Sequence, residues 1–156
     1  MTKTHISKVL IKAEAACHET GAKLTTKRKN VLSTLLRSEI PLSAYEIAEQ
    51  YRQEFDEAIP PMSVYRMLDF MIEENLAHKL NSSNKYIACS HLACDHQHET
   101  PEFLICDNCH KVREIAIRTE TIQALRDSVE SADFYLSSPQ LELHGICGAC
   151  KTAKGQ

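Results

Sequence analysis

Residues 60–89 read PPMSVYRMLDFMIEENLAHKLNSSNKYIAC, and this stretch decides the fold of the first half of the chain. Pro60-Pro61 closes the preceding loop and suits the start of a helix, where a missing N–H is no loss. Val64, Leu68, Met71 and Ile72 then recur at helical spacing as a buried stripe. Arg66 falls on the outward face of the first turns, where an Arg can enter a major groove and read guanine O6 and N7 together. For that residue alone, an ordinary surface Arg remains the alternative. After the helix, AHKLNSSNKYIAC reads as strand, polar turn, strand. A helix followed by such a hairpin is the layout of a winged helix, which also occurs in proteins that do not bind DNA.

Upstream, three more helices are expected. Val9, Leu10, Ala13, Ala16 and Cys17 share one helical face, and so do Val31, Leu32, Leu35 and Leu36, after the cap candidates Thr25-Thr26. Cys17 lies on the apolar stripe, where an unpaired Cys behaves as a small hydrophobe, so it reads as core rather than ligand. Ser43 to Glu46 has the Ser-x-x-Glu form of a capping box, opening a helix with Ala44, Ile47, Ala48 and Tyr51 inward and Tyr45 near its exposed start. Glu49 and Arg52, on the outer face of that helix, fit either an intrahelical ion pair or a contact between dimers.

The downstream half has a different character. CDNC, 37 residues and then CGAC place Cys106, Cys109, Cys147 and Cys150 in two Cys-x-x-Cys pairs, enough thiolates for a tetrahedral Zn²⁺ shell. A redox pair would need only one such motif, and an odd total of seven Cys fits a disulfide framework poorly. EFLIC, the KVREIAI stretch and the alternation Leu141, Glu142, Leu143, His144 read as strands, and Ile122, Leu125, Val129 and Ala132 as a helical stripe. The fold class expected is therefore α+β: a winged helix over 1–89, a hinge over 90–99, and a small α/β dimerisation domain with a four-Cys zinc site over 100–156. So short a domain gains from a zinc staple and from pairing with a second copy.

Composition bounds the rest. The chain has 156 residues, 43% of them apolar and 25% charged, enough for a real core. No apolar run approaches the roughly 18 residues needed to span a bilayer, and the polar MTKTHISK start lacks a signal-peptide layout, so a cytoplasmic protein is expected. The net charge of −3 hides an asymmetry: residues 1–89 carry 12 basic and 11 acidic residues, residues 90–156 carry 6 and 10. Within the first half, Lys23, Lys27, Arg28 and Lys29 form a local basic patch despite the average. A catalytic reading has no support, since no nucleophile is paired with a base.

A second metal constellation uses other residues. A turn at Ser82-Ser83 would pair His78 with Ile87 and leave Cys89 on the same face, two residues along. His91, Asp95, His96, His98 and Glu99 follow in the connecting segment with no clear spacing rule. His110 and His144, each beside a Cys pair, are expected to face solvent or to hydrogen-bond near the ligands.

These motifs together resemble the ferric uptake regulator family over nearly the whole chain: LTTKRKNVL, SAYEI, SVYRMLDFM, HKL, CDNC and HGICGAC, in order. Within it, a Cys at the end of the wing resembles the zinc uptake regulator branch, where iron and peroxide sensors carry a His-rich run before the first Cys pair. The resemblance implies a zinc-dependent repressor of zinc uptake genes, binding double-stranded operator DNA as a homodimer, with one or two dimers per operator. It implies two zinc ions per chain: a structural ion on the four Cys, and a regulatory ion on His78, Cys89, His98 and Glu114, with His96 as the alternative to His98. It also implies that Tyr45 and Arg66 contact bases beside Tyr65 and Ser63, and that Lys27 and Arg28 contact phosphates. An iron- or manganese-responsive regulator, a thiol redox sensor and a zinc-ribbon interaction module remain as alternatives.

Overall fold

The computed structural model describes residues 3–93 and 102–153, with His91 by its backbone alone. The chain divides into two compact units, residues 1–97 and 98–156.

In the first unit α1 (Lys3–Glu19), α2 (Thr26–Arg37), α3 (Ala44–Phe55) and α4 (Pro61–Glu73) precede the hairpin β1 (Ala77–Leu80) and β2 (Lys85–Ala88). The helices start where the sequence says they should. Thr25 caps α2, its hydroxyl accepting from the Arg28 N–H at 3.4 Å. Ser43 and Glu46 close a reciprocal capping box on α3, which satisfies backbone donors that the first turn leaves without intrahelical partners. Pro61 opens α4. The core is built from the expected stripes: Val31, Leu32, Leu35 and Leu36 meet Ile47, Tyr51, Val64, Leu68 and Met71. On α1 the buried residues are Ile6, Val9, Ala13 and Cys17, while Ala16 is exposed. Burial follows the narrow stripe of Ile6, Val9, Ala13 and Cys17, and Ala16 sits just off it. Cys17 is a core residue whose thiol burial holds above its ordinary range.

The hairpin pairs antiparallel, His78 opposite Ile87 and Leu80 opposite Lys85, with Asn81–Asn84 as its loop. Asn84 takes the left-handed conformation (φ 52°) that an Asn tolerates at a tight turn. Leu42 adds an isolated antiparallel bridge to the hairpin, exchanging two backbone hydrogen bonds with Tyr86 at 3.0 and 2.8 Å. Lys85 reaches Glu46 at 3.1 Å, tying the wing to the cap of α3.

The second unit is a three-stranded sheet in the order β4 (Val112–Ile115), β3 (Glu102–Cys106), β5 (Leu141–Gly145). β3 and β4 are antiparallel neighbours, whereas β3 and β5 are parallel. A parallel pair needs a crossover, which α5 (Thr119–Ser131) supplies. None of the residues of α5 is buried within the single chain, and Leu125 of its expected apolar stripe is 41% exposed. Ala132, expected on that stripe, is the C-cap. A short helix, α6 (Gly148–Ala153), ends the described chain.

Candidate metal centres and nucleic-acid interface

The parallel pairing of β3 and β5 creates the first centre. Cys106 ends β3 opposite Gly145 of β5, so Cys147 follows two residues beyond the point of contact. Past Cys106 the chain reverses: His110, with φ 60°, donates its N–H to Cys106 O, and Cys106 N–H is bonded to Lys111 O. That turn brings Cys109 back beside Cys106. On the other arm Cys147 stands at the N-terminus of α6, its carbonyl accepting from Lys151 N–H, which puts Cys150 in the first turn.

The four sulfurs consequently lie within 4.8 Å of one another, and Cys109 Sγ is 3.8 Å from Cys147 Sγ. Zn–S bonds of about 2.3 Å in a tetrahedron require sulfurs about 3.8 Å apart. The spacing therefore fits zinc, and so does the donor set. The sulfurs are also electrostatically prepared. N–H groups of Cys109 and Cys147 hold the Cys106 thiol down at about 6, against an ordinary 9.0. Cys109 is pushed up to about 11: the Lys111 N–H lowers it, but burial and the sulfurs of Cys106, Cys150 and Cys147 outweigh that donor. One thiolate is favourable here without a metal, and further thiolates call for a cation to balance them. Around the sulfurs, Asn108 Nδ2 donates to Cys150 Sγ at 3.2 Å, and His144 Nδ1 lies 2.8 Å from Asp107 Oδ1. His144 thus does hydrogen-bond beside the ligands, while His110 is exposed.

The second constellation begins on the hairpin. The register of β1 and β2 is the one expected, since a four-residue loop has the same parity as a two-residue turn. A Cys89 N–H bond to Leu76 O at 3.0 Å continues the ladder past Ala88. His78 and Cys89 accordingly share a face, with a ring nitrogen and the Sγ within 4.8 Å of each other and Cys89 buried. Glu114 stands on β4 of the other unit, opposite Phe103. His98 and its alternative His96 lie outside the described residues.

The candidate DNA face is on the first unit. Ser63 and Arg66, in the opening turns of α4, line one open cleft together with Thr25, Thr26, Lys27 and Arg28 from the start of α2. Arg66 is exposed and Tyr45, at the start of α3, is 66% exposed, whereas Tyr65 is half-buried against the core. The two basic residues that α2 contributes to the cleft are already engaged. Lys27 Nζ pairs with Glu57 Oε1 at 2.6 Å, and the Arg28 guanidinium lies 3.6 Å over the Phe70 ring while donating to Lys23 O at 2.6 Å. Arg28 keeps its charge at the cleft but is oriented by that stacking. Arg52 pairs with Glu49 of its own helix at 2.7 Å.

Sequence reasoning passed over four residues near these sites. Met62 is 66% exposed one turn before Arg66, on the same side of α4. Its i, i+4 spacing to Arg66 was a readable signal. Glu57, Asp107 and Asn108 take their roles from partners, some distant in sequence, and carried no such signal.

Comparison with known proteins gives consistent results. The ferric uptake regulator family profile matches residues 19–144. The zinc uptake regulation protein of Escherichia coli (strain K12) is 34% identical over 154 residues, covering 96% of this chain and 85% of that protein. The ferric uptake regulation protein of Helicobacter pylori (strain J99) is 31% identical over 146 residues, covering 94% and 93%. Among solved structures, a zinc uptake regulator complexed with zinc and DNA matches with a TM-score of 0.81 at 29% identity, covering 100% of both chains. The holo form of the regulator XcZur matches with a TM-score of 0.74 at 34% identity, covering 97% of this chain and 99% of that one.

Proposed function

This chain belongs to the ferric uptake regulator family, and from that premise we propose that it is a zinc-dependent repressor that binds double-stranded operator DNA as a homodimer and controls zinc uptake genes. As a family member it is a metal-responsive transcriptional regulator and not an enzyme. The zinc assignment is carried by one observation: His78 and Cys89 share a face of the wing with their ligand atoms in reach of one ion. An imidazole and a thiolate suit Zn²⁺ better than the harder, higher-coordinate Mn²⁺. His98 (or His96) and Glu114 are the remaining regulatory ligands that the family resemblance implies, and Cys106, Cys109, Cys147 and Cys150 hold the structural ion.

On this reading the two sites do different work. The four-Cys ion is bound permanently and supports folding. The regulatory ion binds the DNA-competent form of the dimer more tightly than the other form, and it shifts the equilibrium only by that difference. Arg66 and Tyr45 read bases, assisted by Ser63 and Tyr65. Arg28 meets phosphates, and Lys27 does so by exchanging Glu57 for the backbone. No helix of the described residues is long and apolar enough to cross a membrane. As a regulator that must reach operator DNA, the protein acts in the cytoplasm.

The test is binding to a duplex selected by the protein from a random pool, titrated against buffered free Zn²⁺, Fe²⁺ and Mn²⁺ by fluorescence anisotropy. Zinc is expected to support binding at free concentrations far below those at which Fe²⁺ or Mn²⁺ act. Binding driven by Fe²⁺ or Mn²⁺ and indifferent to Zn²⁺ would make the protein an iron or manganese sensor.

A further inference from the structure

The donors around the four sulfurs are of two kinds. Cys106 and Cys109 draw on backbone N–H groups: those of Cys109, Cys147 (at 3.4 Å) and Asn108 for the first, that of Lys111 for the second. Those donors come with the fold of the two turns and survive any side-chain substitution. Cys150, in the first turn of α6, instead takes a hydrogen bond from a side chain, Asn108 Nδ2 at 3.2 Å. Asn108 belongs to the other Cys-x-x-Cys turn, 42 residues earlier, so the bond joins the two halves of the centre directly. Its direction is set by charge, since a thiolate accepts the amide N–H but would repel the amide oxygen. A donor on a metal-bound sulfur also draws off negative charge that four thiolates on one dication leave in excess, which strengthens the site.

We propose that Asn108 is a positioning residue of the four-thiolate centre, whose N–H···S bond to Cys150 locks the two Cys-x-x-Cys turns together and slows the escape of zinc. The role rests on the reading of that centre as a zinc site, and it separates this chain's retention of the ion from the four ligands themselves. Asn108 is exposed, so substitutions there leave the core of the unit alone. Asparagine to aspartate keeps the shape, removes the donor and adds a repelling charge. Asparagine to alanine removes the donor and the packing together.

The experiment uses the full-length zinc-loaded protein in a Cys89→Ser background, so that the released ion comes from the four cysteines. Zinc transfer to excess 4-(2-pyridylazo)resorcinol is followed by absorbance, with far-ultraviolet circular dichroism confirming the fold. Asn108→Ala is expected to release zinc about 10-fold faster, and Asn108→Asp up to about 100-fold faster. In protein refilled with Co²⁺, the thiolate-to-metal charge-transfer band of Asn108→Ala is expected at longer wavelength, because an uncapped sulfur is a better donor. Release rates equal to the parent, or alanine releasing faster than aspartate, would overturn the proposal, the second by showing a packing role. A parent protein that retains no zinc on these cysteines would overturn the zinc reading and this inference with it.

Discussion

Cys106→Ser should unfold the second unit and leave the first intact. The structure sets the scale. Among the described residues of the second unit, only Glu102, Phe103 and Cys106 are buried, and α5 has no buried residue. Full burial of Phe103 contributes about 1.5–3 kcal/mol, small beside the roughly 10–16 kcal/mol of apparent zinc affinity typical of structural four-ligand sites. Sulfur–sulfur spacing of 3.8 Å, matched to zinc, means that this energy is available to the fold with little rearrangement. Losing the Cys106 thiolate removes the sulfur whose pKa neighbouring N–H groups hold down at about 6, at the end of the central strand. The first unit has its own core of Leu32, Ile47, Tyr51, Val64 and Leu68 and should be indifferent. Amide hydrogen exchange read by mass spectrometry checks this: protection of peptides from β3, β4 and β5 should fall to the level of unfolded chain, with those from α2 to α4 unchanged. Zinc content and sedimentation should report loss of the ion and of the dimer. A Cys106→Ser protein that keeps its β3–β5 protection and its dimer mass would refute the argument that zinc, rather than apolar burial, holds this unit.

Cys89→Ser should stay folded and dimeric but lose zinc-dependent operator affinity, by about 5- to 150-fold for a coupling of roughly 1–3 kcal/mol; unchanged zinc dependence in anisotropy titrations would remove Cys89 from the regulatory site. Arg66→Ala should cost about 1–3 kcal/mol and relax base preference at one position per half-site. Lys27→Ala should instead weaken binding to all sequences and make the slope of log affinity against log salt shallower by about 0.9 for each phosphate that is no longer neutralised. The Glu46 carboxyl is held below its ordinary 4.5, first by the Ser43 N–H and then by the Ser43 hydroxyl and Lys85. Its contribution is therefore complete above that value and is lost as pH falls through the lower folded value. Urea midpoints from about pH 6 to pH 3 should decline less steeply in Glu46→Gln than in the parent.

Much of the first unit was legible because its determinants are local. Helical periodicity, the Ser43-x-x-Glu46 box and Pro61 act within a few residues, and the core stripes emerged where the spacing put them, apart from Ala16. The hairpin register was legible too, because loop parity alone decides which side chains share a face, so the sequence alone placed His78 and Cys89 on one side. The Cys-x-x-Cys pairs were legible as candidate metal-ligand pairs for the same reason, each pair being a local turn.

What remained for the tertiary structure was every relation carried by long-range pairing. Two Cys pairs separated by 37 residues bring their sulfurs within reach of one ion only because β5 lies parallel to β3 and ends beside Cys106. The same pairing brings Asn108 to Cys150, a meeting that no periodicity encodes. Lys27 and Arg28, read as part of a local basic patch, are held by Glu57 and Phe70, residues on other segments of the unit. Leu42 joins the wing through Tyr86, a bridge too short to leave a pattern. The sequence by itself determined which residues could carry metal and DNA chemistry, because residue type and local spacing determine donor sets and helix faces. Only the tertiary structure decided which of them meet and what already occupies them, because those answers depend on chain segments that sequence order keeps apart.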